Sequence, residues 1–81
     1  MKGSVLVVDD VPDMLKFLER LLKEELHVDV VTVNSAEKAI EMMSKEPVNI
    51  VLADIRMPRM NGVELLRHIK EMDDSTLVIM M

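Results

Sequence analysis

Apolar residues along the chain occur either in short continuous runs or in stripes with helical spacing. The continuous runs predict strands because each is short, rich in β-branched residues and bounded by turn-forming residues. The predicted strands cover residues 5–8, 27–33, 48–53 and 76–81. Between them, Ala36, Ala39, Ile40 and Met43 show the i, i+3, i+4, i+7 spacing of an amphipathic helix. The resulting order, β-α-β-α-β-α-β, is typical of an α/β domain with a parallel sheet.

Local signals predict where the helices begin and end. Pro12 suits the first turn of a helix, which should end near Glu25. Ser35 is a candidate N-cap for the second helix, and Pro47 should end that helix before the third strand. The third helix is expected to begin near Gly62. The side chains expected on the apolar faces are Met14, Leu18, Leu21 and Leu22 in the first helix, and Leu65, Leu66, Ile69 and Met72 in the third.

Composition narrows the class of protein. With 81 residues, of which 49% are hydrophobic, the chain is expected to form one small globular domain. The net charge of −5, the single aromatic residue and the lack of a basic cluster argue against direct nucleic-acid binding. There is no cysteine and no apolar run long enough to span a bilayer, so we expect a soluble, cytoplasmic protein.

Acidic residues follow two of the predicted strands. Asp9 and Asp10 come directly after the first strand, and Asp54 follows the third. The carboxyl ends of parallel strands form the ligand-binding edge of an open α/β sheet. Three carboxylates at one edge repel one another unless a cation is present, and a site with oxygen ligands alone suits Mg²⁺ better than zinc.

The same residues carry a resemblance to a known family. Asp9 and Asp10 resemble the acidic pair of bacterial response-regulator receiver domains, and Asp54 resembles their phosphoacceptor. Pro58 and Gly62 follow Asp54 by four and eight positions, as in the family's Met-Pro-x-Met-x-Gly loop. The resemblance implies a flavodoxin-like, doubly wound parallel sheet with strand order 2-1-3-4. Residues 1–81 would correspond to the N-terminal two-thirds of a receiver domain, without the fifth strand and the last two helices.

The resemblance also implies a function. Asp54 would accept a phosphoryl group from a histidine kinase or a phosphotransfer protein, in a regulatory module rather than a turnover enzyme. The Mg²⁺ ligands would be the carboxylates of Asp9, Asp10 and Asp54 and the backbone carbonyl of Arg56. The family's Ser or Thr beyond the fourth strand and its Lys after the fifth have no counterpart in the sequence, so we do not expect this segment to signal by itself.

Other functions fit the sequence less well. Phosphatases of the haloacid-dehalogenase type also use a strand-terminal Asp with Mg²⁺, but they have a second Asp where this chain has Arg56. A nucleotide-binding module is disfavoured because there are only two glycines and no glycine-rich loop. A third possibility is a receiver scaffold that self-associates or exchanges strands without signalling, because its last strand, rich in Leu, Val, Ile and Met, would be left with an exposed edge.

Overall fold

A computed structural model of the chain describes residues 3–54, 56 and 61–81. Four strands and three helices alternate along these residues. The strands are β1 (Ser4–Val8), β2 (Asp29–Val33), β3 (Ile50–Ala53) and β4 (Leu77–Met80), and the helices are α1 (Pro12–Leu26), α2 (Ala36–Lys45) and α3 (Gly62–Met72). All strand pairs are parallel and the strand order is β2-β1-β3-β4. The predicted fold class and strand order are therefore confirmed.

The two faces of the sheet are covered differently. On one face, α2 and α3 enclose the larger core, in which Leu6, Val8, Val51, Leu65 and Ile69 are buried. On the other face, the smaller cluster around Val5, Val7 and Val30 is covered by side chains of α1. Helix α1 contacts β2 and β1, and the β3 side chains Ile50 and Leu52 pack against the edge of the same cluster. The central strand β1 is buried on both faces, as its continuous apolar run indicates.

Helix ends follow the local signals in the sequence. Ser35 caps α2 by accepting a hydrogen bond from the backbone N–H of Lys38 (3.2 Å), as predicted. Asn61 caps α3 in the same way, through the N–H of Glu64 at 2.9 Å. Pro12 is the first residue of α1. These two capping contacts satisfy backbone N–H groups at the starts of α2 and α3.

Several strand boundaries and two inward helix faces differ from the sequence prediction. His27 does not begin a strand; it closes α1 in the left-handed conformation (φ 53°), and β2 begins at Asp29. In α1, Leu15 and Leu22 pack on the sheet, while Met14 and Leu21 are 42% and 41% exposed. The third strand begins at Ile50 rather than at residue 48, and Met72 of α3 is exposed rather than packed.

Candidate metal site

Asp9 lies at the end of β1 and is only 4% exposed. Its backbone N–H donates to the carbonyl of Val33 (3.2 Å), which extends the pairing of β1 with β2 by one bond. Its Oδ1 accepts a hydrogen bond from the N–H of Val11 at 2.9 Å. Val11 is the N-cap residue of α1 and has no side-chain capping contact of its own. The Asp9 carboxylate therefore fixes the turn from strand to helix, at the helix end that favours negative charge.

Asp54 occupies the equivalent position on the neighbouring strand. Its N–H donates to the carbonyl of Val8 (2.9 Å), so the pairing of β1 with β3 continues past the last strand residue. Its Oδ1 accepts from the N–H of Arg56, two residues further along the chain, at 2.9 Å. Asp54 and Asp9 thus make the same contact, a carboxylate bonded to the second N–H that follows it. Each carboxylate has a second oxygen that takes no part in this contact.

The structure brings all three predicted carboxylates together. Oxygen atoms of Asp9, Asp10 and Asp54 lie within 4.8 Å of one another. Asp9 is buried, Asp54 half-buried and Asp10 exposed, so the cluster opens to solvent on one side. Within residues 3–54, 56 and 61–81, the recorded ion pairs all lie elsewhere, on the surfaces of α1 and α2. In that part of the chain, no lysine or arginine nitrogen lies within 4.0 Å of the three carboxylates.

The donor set fits a small hard cation. All three groups are carboxylates, and no histidine or cysteine contributes to the cluster. Two ligands on opposite sides of a Mg²⁺ ion are about 4.2 Å apart, because each Mg–O distance is about 2.1 Å. The ligand oxygens of the cluster lie within 4.8 Å of one another, which is close to that span. The residues present therefore fit Mg²⁺.

The predicted loop after β3 is only partly within the described residues. Arg56 is exposed and its N–H bonds to Asp54, while the role of its carbonyl as a metal ligand stays a prediction. Pro58 lies outside the described residues. Gly62 is buried and begins α3, in register with the loop motif. The backbone N–H groups of Val11 and Arg56 are site contacts that the sequence analysis missed, although an Asp followed by a turn is a known signal for them.

Comparison with known proteins agrees with this geometry. The family model for the response regulator receiver domain matches residues 5–81. The chain belongs to this family. Receiver domains are regulatory domains that generally bind Mg²⁺ at an acidic pocket and interact with histidine kinases or phosphotransfer proteins. This receiver domain has a cluster of three aspartates, Asp9, Asp10 and Asp54, after β1 and β3.

Curated relatives place the receiver domain in longer proteins. The chain is 41% identical over 70 residues to the hydrogenase transcriptional regulatory protein HoxA of Cupriavidus necator, covering 86% of this chain and 14% of that protein. It is 38% identical over 69 residues to a protein-glutamate methylesterase/protein-glutamine glutaminase of Methanococcus maripaludis, covering 84% and 19%. This receiver domain thus spans less than a fifth of the length of either relative. The activities of those longer proteins are therefore not attributed to this chain.

Solved structures show the same fold. A receiver domain protein from Clostridium thermocellum superimposes with a TM-score of 0.90 at 26% identity, covering 96% of this chain and 63% of that one. The chemotaxis protein CheY4 of Vibrio cholerae gives a TM-score of 0.92 at 22% identity, covering 99% and 68%, and this likeness concerns the fold alone. Among the described residues, no helix is long and apolar enough to cross a membrane.

Proposed function

We propose that this receiver domain is a Mg²⁺-dependent phosphoacceptor module and that Asp54 accepts the phosphoryl group. The observation that carries the proposal is the convergence of Asp9, Asp10 and Asp54 within 4.8 Å at the carboxyl ends of β1 and β3. A structural role for isolated aspartates would not require three like charges at one point, where they repel one another. A site that binds a cation and a phosphoryl group explains why they are together.

The chemistry follows from the contacts of Asp54. Oδ1 is held by the N–H of Arg56, so Oδ2 is the oxygen available to attack an incoming phosphorus atom. In the proposed transfer, the new bond joins Oδ2 to phosphorus and the phosphorus–nitrogen bond of a phosphohistidine breaks. The released imidazole recovers its proton from solvent, and the product is an aspartyl phosphate. The hydrogen bonds at Asp54 position the nucleophile before the donor arrives.

Asp9 and Asp10 would hold the metal ion, together with Asp54 and the backbone carbonyl of Arg56. When bound, Mg²⁺ neutralises negative charge on the carboxylates and on the transferred phosphoryl oxygens. Asp9 is fixed by its bond to Val11, whereas Asp10 is exposed and makes no hydrogen bond within the described part of the chain. Asp9 therefore sets the position of the site, and Asp10 can adjust to the ion.

The proposed role is regulation rather than turnover. Arg56 stands two residues after Asp54, at the position where phosphatases of the haloacid-dehalogenase type have the Asp that acts as general acid. A guanidinium stays protonated and cannot serve as that acid. The proposed phosphodonor is a histidine kinase or a phosphotransfer protein, and we infer a cytoplasmic location, which the lack of cysteine supports.

The phosphoacceptor role can be tested with acetyl phosphate as the donor. We expect intact-mass spectrometry to show a phosphoryl adduct when Mg²⁺ is present. Hydroxylamine, which cleaves acyl phosphates, should remove the adduct, and Asp54→Asn should not form it. Asp74→Asn is the matched control because Asp74 is an exposed acid that makes no side-chain contact in the described residues. An adduct that persists in folded Asp54→Asn, or that resists hydroxylamine, would place the acceptor elsewhere.

An alternative role is a receiver scaffold that self-associates without signalling. Exposed apolar side chains favour it, because Leu77 and Ile79 of β4 are 55% and 43% exposed. This alternative would be favoured over the phosphoacceptor role if the wild-type protein is folded and self-associated but forms no adduct with acetyl phosphate.

A further inference from the structure

Asn61 is followed directly by Gly62, and the pair forms the start of α3. Asparagine is one of the thermally labile side chains. Glycine as the next residue favours loss of the asparagine amide, because glycine has no side chain to hinder its backbone nitrogen from reaching the amide carbon. The chain's other asparagines, Asn34 and Asn49, are followed by serine and isoleucine. Asn61 is therefore the asparagine of this chain with an unhindered neighbour.

We propose that Asn61 is a site of deamidation and that the first turn of α3 controls the rate of the reaction. The backbone nitrogen of Gly62 gives its proton to a base in solution and forms a bond to Cγ of Asn61. The bond from Cγ to Nδ2 breaks, and the amide nitrogen takes up a proton from water and leaves as ammonia. Water then opens the five-membered succinimide ring at either carbonyl carbon, which gives aspartate or isoaspartate at position 61.

The folded protein holds Asn61 away from the geometry that ring closure needs. Its Oδ1 accepts a hydrogen bond from the N–H of Glu64 (2.9 Å), and its backbone carbonyl accepts from the N–H of Leu65 (3.0 Å), the first bond of α3. The ring requires Cβ of Asn61 and the nitrogen of Gly62 to be nearly eclipsed about the Cα–C bond, whereas ψ of 171° staggers them. Rotation about this bond moves the carbonyl and breaks its bond to Leu65. Ring closure therefore requires the first turn of α3 to open.

The two products change α3 in opposite directions. Aspartate keeps the side-chain oxygen that accepts from Glu64, and its negative charge is favoured at the start of a helix. Isoaspartate makes the former side chain part of the main chain, which adds one methylene before Gly62 and removes the capping group. Since Leu65 and Ile69 of α3 lie in the larger core, loss of the cap weakens the attachment of that core to its helix. The reaction involves no group of the aspartate cluster, so it does not depend on the phosphoacceptor role.

Peptide mapping by mass spectrometry, in mildly alkaline buffer with and without urea, measures the rate at each asparagine. Asn34 is the internal control, because it is exposed and its side chain makes no hydrogen bond to the described residues. We expect Asn61 to react at least tenfold more slowly in the folded than in the urea-unfolded protein, while the rate at Asn34 changes much less. Equal rates at Asn61 in both conditions would overturn control by α3. A reaction at Asn34 or Asn49 as fast as that at Asn61 in urea would overturn the choice of site.

Variants at position 61 test the products. Asn61→Ser is the matched variant, because serine also caps helices but has no amide to lose. It should keep the wild-type urea midpoint and lose the mass gain of deamidation from the peptide that spans position 61; a mass gain there at the wild-type rate would overturn the proposal. Asn61→Asp should have a urea midpoint at least as high as the wild type. Aged wild-type protein that carries isoaspartate should unfold at lower urea, and an unchanged midpoint would refute the loss of the cap.

Discussion

The crowding of three carboxylates predicts that removing one charge stabilises the metal-free protein. The substitution is Asp10→Asn, because Asp10 is exposed and its side chain makes no hydrogen bond to the described residues. Two unit charges 4.8 Å apart repel by about 0.9 kcal/mol even at the dielectric constant of water. Asp9 and Asp10 are adjacent in the chain and repel each other in the unfolded state too, so the gain in stability comes mainly from removing the repulsion between Asp10 and Asp54, roughly 0.9 kcal/mol at low ionic strength. At physiological salt, where the screening length is about 8 Å, roughly 0.5 kcal/mol remains.

Magnesium should reverse the order of stability. At a hundredfold excess over its dissociation constant, an ion that binds only the folded state adds about 2.7 kcal/mol to the free energy of unfolding. The wild-type protein should receive this gain in full. Asp10→Asn offers the ion one carboxylate fewer, so its dissociation constant is higher and its gain at the same Mg²⁺ concentration is smaller.

Urea unfolding with and without Mg²⁺, at low and at physiological salt, measures both effects. Asp74→Asn is the control, since it removes an exposed charge outside the cluster and should change stability by less than about 0.5 kcal/mol in every buffer. The reasoning is refuted if metal-free Asp10→Asn is no more stable than the wild type at low salt. It is also refuted if Mg²⁺ stabilises the two proteins equally.

Substitutions at three further positions test single contacts. Thr76→Val should cost about 1–2 kcal/mol in urea unfolding, because buried Thr76 donates to the carbonyl of Val48 at 3.0 Å. Asp9→Ala should be about 1 kcal/mol less stable than Asp9→Asn, which keeps the acceptor for the turn, while both should bind Mg²⁺ more weakly in calorimetry. Hydrogen bonds from the Ser75 side chain and backbone lower the pKa of Asp73 in the folded protein. The ionised Asp73 carboxylate therefore stabilises the fold at pH values above its ordinary pKa, and this stabilisation is lost as the pH falls through the lowered pKa of the folded state. The thermal unfolding temperature of Asp73→Asn should therefore fall less steeply than that of the wild type as the pH is lowered.

Much of the site could be predicted because its residues are adjacent to the strands. The apolar runs locate the strand ends, and Asp9 and Asp54 stand immediately after them. Their meeting also requires that β1 and β3 be neighbours, which the periodicity of the sequence does not determine. The resemblance to receiver domains supplied that strand order, and the observed pairing of Val8 with Ala53 confirms it.

The errors of the sequence analysis have physical causes. Helix α1 carries two overlapping apolar stripes, one through Met14 and Leu21 and one through Leu15 and Leu22. Periodicity alone gives no reason to prefer either, and contact with β1 and β2 selects the second. The assignment of His27 to a strand failed because a left-handed helix cap is usually glycine or asparagine, and histidine gave no such signal.

The aspartate cluster is built on the central strands of the described sheet. Asp9 and Asp54 directly follow β1 and β3, and the pairing of these two strands continues up to Asp54 through its bond to Val8. Central strands exchange their backbone hydrogens with solvent more slowly than edges, because opening them breaks more of the core. The carboxylates of Asp9 and Asp54 are therefore positioned by the part of the sheet that opens least.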